Sequence, residues 1–222
     1  MYTVNLNYCC KYFSREIIFY CMYIPHEFKI EDLKKILNFV EDNNFGILLS
    51  IYNNEIYNTQ IPLMLGKEDE KFVLKGHMAR ANMQWYRSRD QAVTALFTGP
   101  HHYISPLYYQ DKDSVPTWDY MTVRMDGKLE LMDEPETRKF LLGMSQFYDE
   151  KWAEERNDKR EYYSRMVLQI VGFKIRVSKI TAKFKLSQNR PEDMENIAIN
   201  LDNLGDADAV SVAKFIREEI KK

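Results

Sequence analysis

The segment Gly76-His77-Met78-Ala79-Arg80-Ala81-Asn82, with Gln84-Trp85 just beyond it, gathers residue types that hold an anion. Glycine permits close backbone approach, and His77, Arg80 and Asn82 all donate hydrogen bonds. Arg80 can grip a phosphate with two parallel bonds from its planar fork, while the N–H groups of a turn add further donors. The plainer alternative is a capped turn with an exposed arginine. The clustered glycines and Lys-Ser/Thr pair of a nucleotide loop, and the three close glycines of a dinucleotide fingerprint, are both missing.

A second candidate, Gly99 to Tyr109, crowds His101, His102, Tyr103, Tyr108 and Tyr109 around Ser105 and beside the prolines Pro100 and Pro106. Planar rings so placed can face a planar ligand, or equally serve as core or interface aromatics. Adjacent histidines on an extended chain point to opposite faces, which makes them poor joint metal ligands. Val115 to Tyr120, with Thr117 and Trp118, is a Pro-entered strand that leaves the same two readings open.

The third candidate runs from Lys174 to Arg190 and holds six Lys or Arg side chains with no acid among them. Lys183 and Lys185 share one strand face, and Phe184 and Leu186 the other, so the cations line a surface opposite the core. That surface is either a solvated strand face or, with Ser187, Gln188, Asn189 and Arg190 next to it, a binding surface for an anion or polar ring edge. No Gly-x-Ser-x-Gly elbow is present and all three cysteines fall in residues 1–21. Covalent catalysis therefore finds little support, and redox chemistry needs a bound cofactor.

These segments need elements to hold them. Leu33, Ile36, Leu37 and Val40 fall on one helix face between Ile30 and Asn43. Gly46–Tyr52 and Glu55–Leu65 read as a hairpin around Asn53-Asn54. Further strands are expected at Lys71–Gly76, Ala92–Thr98 and Trp118–Met125, the last returning through an Asp126-Gly127 turn into Lys128–Met132. A helix from Asp133 presents Phe140, Leu141, Met144, Phe147 and Tyr148 along one side, with Glu154–Glu161 closing it. Val167–Lys185 is one long strand or two joined ones, and Pro191–Leu201 and Ala207–Lys222 are helical. The pattern predicts a mainly β (α+β) chain: a β-barrel with flanking helices.

With 222 residues, 45% hydrophobic and 29% charged, the chain has the composition of a soluble globular protein. Its 31 Lys plus Arg against 33 Asp plus Glu give a net charge of −2, which excludes a dedicated nucleic-acid binder and leaves room only for a weak or indirect DNA contact. The longest apolar run, Ile17 to Ile24, is eight residues, so no membrane span is expected and the protein reads as cytoplasmic. Residues 1–21 lack Gly and Pro, and they are expected to be an upstream extension outside the fold. Residues 22–222 then form a single domain.

Taken in order, Met22–Pro25, Gly76–Asn82, Gly99–Tyr109, Val115–Tyr120, Gly127-Lys128-Leu129, Ile170–Phe173 and Ala182–Arg190 resemble the PaiB family of FMN-binding split-barrel proteins, described as negative transcriptional regulators. The resemblance implies a split β-barrel of the pyridoxamine-phosphate-oxidase-like type, forming a homodimer with FMN at the subunit interface. It implies that His77, Arg80 and Asn82 meet the phosphate, with Gly76 admitting it. Tyr103, Ser105, Thr117 and Trp118, together with Lys183, Lys185, Ser187, Gln188 and Arg190, then frame the ribityl chain and ring from the other subunit. Met83 stands where the family usually has Pro, and Leu107-Tyr108 where Ser-Trp is usual. Three functions follow from this: a flavin-binding regulator, an FMN-dependent oxidoreductase acting on a small molecule, or an interaction protein whose ligand site has decayed.

Overall fold

A computed structural model describes residues 22–111, 113–155 and 165–221; the expected extension 1–21 lies outside them. In chain order the elements are β1 (Lys29–Ile30), α1 (Leu33–Asp42), β2 (Phe45–Tyr52), β3 (Glu55–Pro62), β4 (Met64–Glu68), β5 (Lys71–Ala79), α2 (Gln84–Ser88), β6 (Ala92–Ile104), β7 (Thr117–Leu131), α3 (Glu134–Tyr148), α4 (Glu150–Glu155), β8 (Ile170–Lys185), α5 (Met194–Leu204) and α6 (Ala207–Ile220). One sheet runs β3-β2-β6-β7-β8-β5-β4, with β1 also on β8. Every pairing is antiparallel. β3 and β4 occupy opposite ends of this order, yet only Leu63 separates them in the chain. The sheet must curl until its edges meet, which makes it a barrel.

The hairpin turn forms as expected, but the expected Glu55–Leu65 strand is two: it stops at Pro62, and beyond Leu63 the chain continues as β4 at the other end of the sheet order. Asn53 and Asn54 adopt φ of 50° and 63°, the positive pair a two-residue hairpin turn requires. α1 starts at the Asp32 cap, whose carboxylate accepts from the Lys35 N–H. It buries Ile36, Phe39 and Val40, and Phe39 packs on Phe184 at 4.9 Å. α5 and α6 bury Ile197, Ala198, Leu201, Val212, Ala213 and Ile216 in the same core, each large aliphatic side chain contributing about 1.5–3 kcal/mol.

The expected turn at Asp126-Gly127 is not there: β7 continues through it as one strand. Its register against β8 shifts at this point, and a Cβ on Gly127 would lie 2.3 Å from the Arg176 carbonyl oxygen. Glycine serves close strand approach at a bulge rather than a reversal. Asp126 is held by Arg124 Nε at 2.8 Å and Thr94 Oγ1 at 2.6 Å.

β6 also outruns its expected end. It crosses an irregularity at Gly99-Pro100 and carries His101 and Tyr103 onto the sheet, opposite Tyr120 and Trp118. β8 is one strand from Ile170, with Val167 outside it. α3 closes at Asp149, whose N–H bonds the Ser145 carbonyl, before the expected Glu154–Glu161 stretch. Residues 156–161 of that stretch lie outside the described residues. α5 starts at Met194 rather than Pro191, because Pro191–Asp193 form a preceding turn.

Candidate functional site

The 76–82 segment is divided between a strand and a turn. Gly76 lies within β5 facing the core, where a Cβ would come within 2.8 Å of Phe173 and 2.9 Å of Leu63. Its small size serves packing instead of admitting a ligand. His77 points to the other face of β5, near Phe140 of α3 at 6.3 Å between ring centroids. Its Nδ1 is buried without a hydrogen-bond partner, and burial pushes the imidazole pKa below its ordinary 6.5. A neutral ring beneath a helix is poorly suited to the phosphate role expected of it.

Arg80 and Asn82 do stand in the turn. Arg80 is exposed, and its Nε and Nη2 donate to the carbonyls of Leu168 and Ile170 at 2.8 and 3.0 Å. Trp85 Nε1 donates to the Arg80 carbonyl at 3.0 Å. Among the described residues no carboxylate pairs with Arg80, so backbone oxygens orient the guanidinium and its full charge stays available. A cavity of about 190 Å³ opens beside it, lined also by Trp85, Leu131, Thr137, Leu168 and Glu134, whose carboxylate is paired with Arg138.

Asn82 Nδ2 donates to Thr59 Oγ1 at 2.9 Å, and its Oδ1 accepts from the Gln84 N–H at 3.0 Å. Buried Gln84 sends Nε2 to Leu48 O, Ser50 Oγ and Tyr57 O at 3.1–3.3 Å, tying the turn to β2 and β3. Sequence reasoning gave Gln84 no role of its own and did not single out Thr59. A glutamine at a helix start carries no signal until two strands converge on it.

The other candidates gather at the far end of β8. Lys185 Nζ donates to Thr117 Oγ1 at 2.8 Å, to the Trp118 carbonyl at 2.7 Å and to Asp119 Oδ1 at 3.2 Å. Ser187, at a left-handed φ of 63°, donates from Oγ to Asp119 Oδ2 at 2.7 Å. The exposed rings of Tyr103 and Trp118 meet edge to face at 6.0 Å. The solvated-face reading fails here: Lys183 is buried, Lys185 is bonded three ways, and Lys174 and Arg176 are answered by Glu68, Glu136 and Glu130.

Three candidates have structural work within the chain. Gln188 Nε2 donates to the Phe184 carbonyl and its Oε1 accepts from the Leu186 N–H, closing the end of β8. Arg190 donates to Ser114 Oγ at 2.9 Å and lies 4.6 Å from the Tyr109 ring centroid. Ser105 Oγ accepts from the Leu107 N–H, capping the single turn Pro106–Tyr108.

Asp119 is the residue the sequence reading missed, although an acid between Trp118 and Tyr120 in a strand is itself a departure from strand preferences. It is fully buried, and burial raises its pKa above 3.8, with Lys185 opposing. The folded chain therefore holds this proton more tightly than the unfolded chain. The resulting stabilisation is full below pH 3.8 and is lost as pH rises through the raised value. Asp119→Asn keeps an acceptor oxygen and is expected to remove this dependence, seen as a flatter stability profile in urea melts between pH 4 and 7. Asp119→Ala strands the Ser187 hydroxyl and one Lys185 bond, and is expected to cost about 2 kcal/mol.

Within one chain the two groups sit at opposite ends of β8. Arg80 sits where β8 begins and Lys185 where it ends, a contour of roughly 50 Å at the usual strand rise. One group offers an oriented, unneutralised guanidinium. The other offers exposed aromatic faces beside cations. This chemistry fits the phosphate and the ring of a flavin mononucleotide, a cofactor that brings electron-accepting chemistry the side chains lack.

Comparison with known proteins bears on this fit. The family model described as "Putative FMN-binding domain" matches residues 22–179. The chain is 34% identical over 211 residues to the protease synthase and sporulation protein PAI 2 of Bacillus subtilis, covering 90% of this chain and 99% of that protein. The flavocytochrome Anf3 from Azotobacter vinelandii shares the fold at TM-score 0.55 and 12% identity, over 72% of this chain and 70% of that one. An FAD and heme binding protein from Mycobacterium smegmatis does so at TM-score 0.53 and 12% identity, over 71% and 73%. The barrel, its flanking helices and the extended match to PAI 2 together place this chain in the PaiB family of FMN-binding split-barrel proteins.

Proposed function

We propose that the chain works as a homodimer with FMN between its two copies, and that flavin occupancy serves a regulatory role in gene expression. The observation that carries the dimer is the separation along β8. Arg80 and Asn82 of one copy hold the phosphate, while Tyr103, Thr117, Trp118, Lys183 and Lys185 of the other frame the ring. Asp119 and Ser187 position Lys185 from behind. The regulatory reading is supported by the likeness to PAI 2, whose name ties that protein to protease synthesis and sporulation.

Purified chain incubated with FMN and desalted is expected to retain a flavin spectrum, one flavin per chain, and to sediment as a dimer. Riboflavin, which lacks the phosphate, is expected to bind about a hundredfold more weakly, the loss of two charge-assisted bonds. Equal affinity for both removes Arg80 from the site, and a monomer that retains FMN removes the shared site. A salt-dependent gel shift with promoter DNA supports regulation, whereas steady NAD(P)H oxidation by the FMN-loaded protein favours an oxidoreductase.

A further inference from the structure

Two cations are buried among the described residues, and only one is matched. Arg124 lies against Asp126 at 2.7 Å. Lys183, 9% exposed, has neither a carboxylate nor a hydrogen-bond acceptor within reach among the described residues. Its in-register neighbours are Thr122 on β7 and a second lysine, Lys29, on β1. What surrounds the ammonium is aromatic: the Tyr120 and Tyr23 ring centroids lie 5.1 and 5.7 Å away. The nitrogen itself keeps contact with water, so these rings add to its hydration and leave its charge unpaired.

Lys183 also belongs to the surface that carries the exposed aromatics. Strand register sets Tyr103 opposite Trp118, His101 opposite Tyr120, Tyr120 opposite Lys185, and Thr122 opposite Lys183, and paired residues share a sheet face. On that face Lys185 is neutralised by Asp119, whereas Lys183 leaves a positive charge with no internal anion.

We infer that Lys183 makes this protein hold two-electron-reduced FMN more tightly than oxidised FMN. The inference rests on the ring lying on this face, as proposed above. Two electrons and one proton convert the neutral isoalloxazine into a ring bearing one negative charge. Lys183 exchanges nothing in that step and balances the charge that appears. The oxidised ring offers it only a dipole, so the preference is for the reduced form.

The test is an anaerobic dithionite titration of FMN-loaded protein beside a reference dye, the dithionite being oxidised to sulfite. Lys183→Met is expected to lose at least a tenfold preference for reduced FMN, which lowers the midpoint potential by about 30 mV for a two-electron couple. Lys183→Arg is expected to keep the wild-type potential. Where Lys183→Met does not retain FMN, Lys183→Gln carries the same measurement.

An unchanged potential in flavin-loaded Lys183→Met overturns the inference and leaves the flavin site standing. A wild-type chain that binds no FMN at all overturns the proposed site first and this inference with it.

Discussion

Chains carrying Arg80→Ala, mixed with chains carrying Trp118→Ala, are expected to recover FMN sites of wild-type affinity that neither variant shows alone. Each variant dimer has two damaged sites, one kind lacking the phosphate grip and the other the indole face. If each site takes Arg80 from one copy and Trp118 from the other, a mixed dimer holds one intact site and one doubly damaged site. Random exchange makes about half of the dimers mixed, so about a quarter of the wild-type sites return. Losing the guanidinium contacts lowers affinity by about a hundredfold, and losing a stacked aromatic by about 1–3 kcal/mol. FMN is therefore titrated across the wild-type Kd, and recovery is read as a fraction of sites with wild-type affinity, which neither single variant contains. Both substitutions suit this test because Arg80 is exposed and Trp118 is 52% exposed, so neither opens a hole in the core. No recovery between variants that remain dimeric and exchange subunits would place the site within one chain.

Gly127→Ala is expected to cost about 3–5 kcal/mol, seen as a fall in melting temperature of roughly 6–20 °C. The added methyl would meet the Arg176 carbonyl oxygen at 2.3 Å, its carbon at 2.8 Å and Ile175 Cγ2 at 2.8 Å. Two of these are backbone atoms of the central strand β8, which is paired with β5 and β7, so neither neighbour can swing aside. Relief requires the β7–β8 ladder to part at its bulge. Gly143→Ala is the control: it sits in α3 with nothing within 4 Å of the new methyl, and it is expected to stabilise by about 0.5–1 kcal/mol through backbone entropy. A Gly127→Ala chain that melts with wild type would show that the two strands do not approach this closely.

Gly127 illustrates where reading along the chain stops. An Asp-Gly pair between β-rich runs has the local chemistry of a tight turn, and Asn53-Asn54 with the same kind of signal does form one. The difference lies in the third strand: Gly127 faces the Arg176 carbonyl, and Asp126 is engaged by Arg124 and Thr94. Turn propensity is local, whereas the choice between a turn and a bulge depends on what lies across the sheet. The same limit applies to the cationic run 174–190. A strand's alternation separates Lys183 and Lys185 from Phe184 and Leu186, yet it cannot tell that glutamates from β4, α3 and β7 neutralise the first half of the run.

The sequence by itself determined the hairpin turn, the apolar face of α1, the helical character of α5 and α6, the barrel with flanking helices, and the resemblance that marks a flavin protein. These rest on periodicity, turn chemistry and ordered motifs, all of which act over a few residues or repeat along the chain. Only the tertiary structure decided that Gly76 and His77 serve the core and α3, that backbone carbonyls hold Arg80, that Asp119 anchors Lys185 and Ser187, and that Lys183 is buried without an acid. Each of these depends on which distant atoms fill the space around a side chain. Desolvation and charge balance are set by that three-dimensional neighbourhood, which the order of residues does not display.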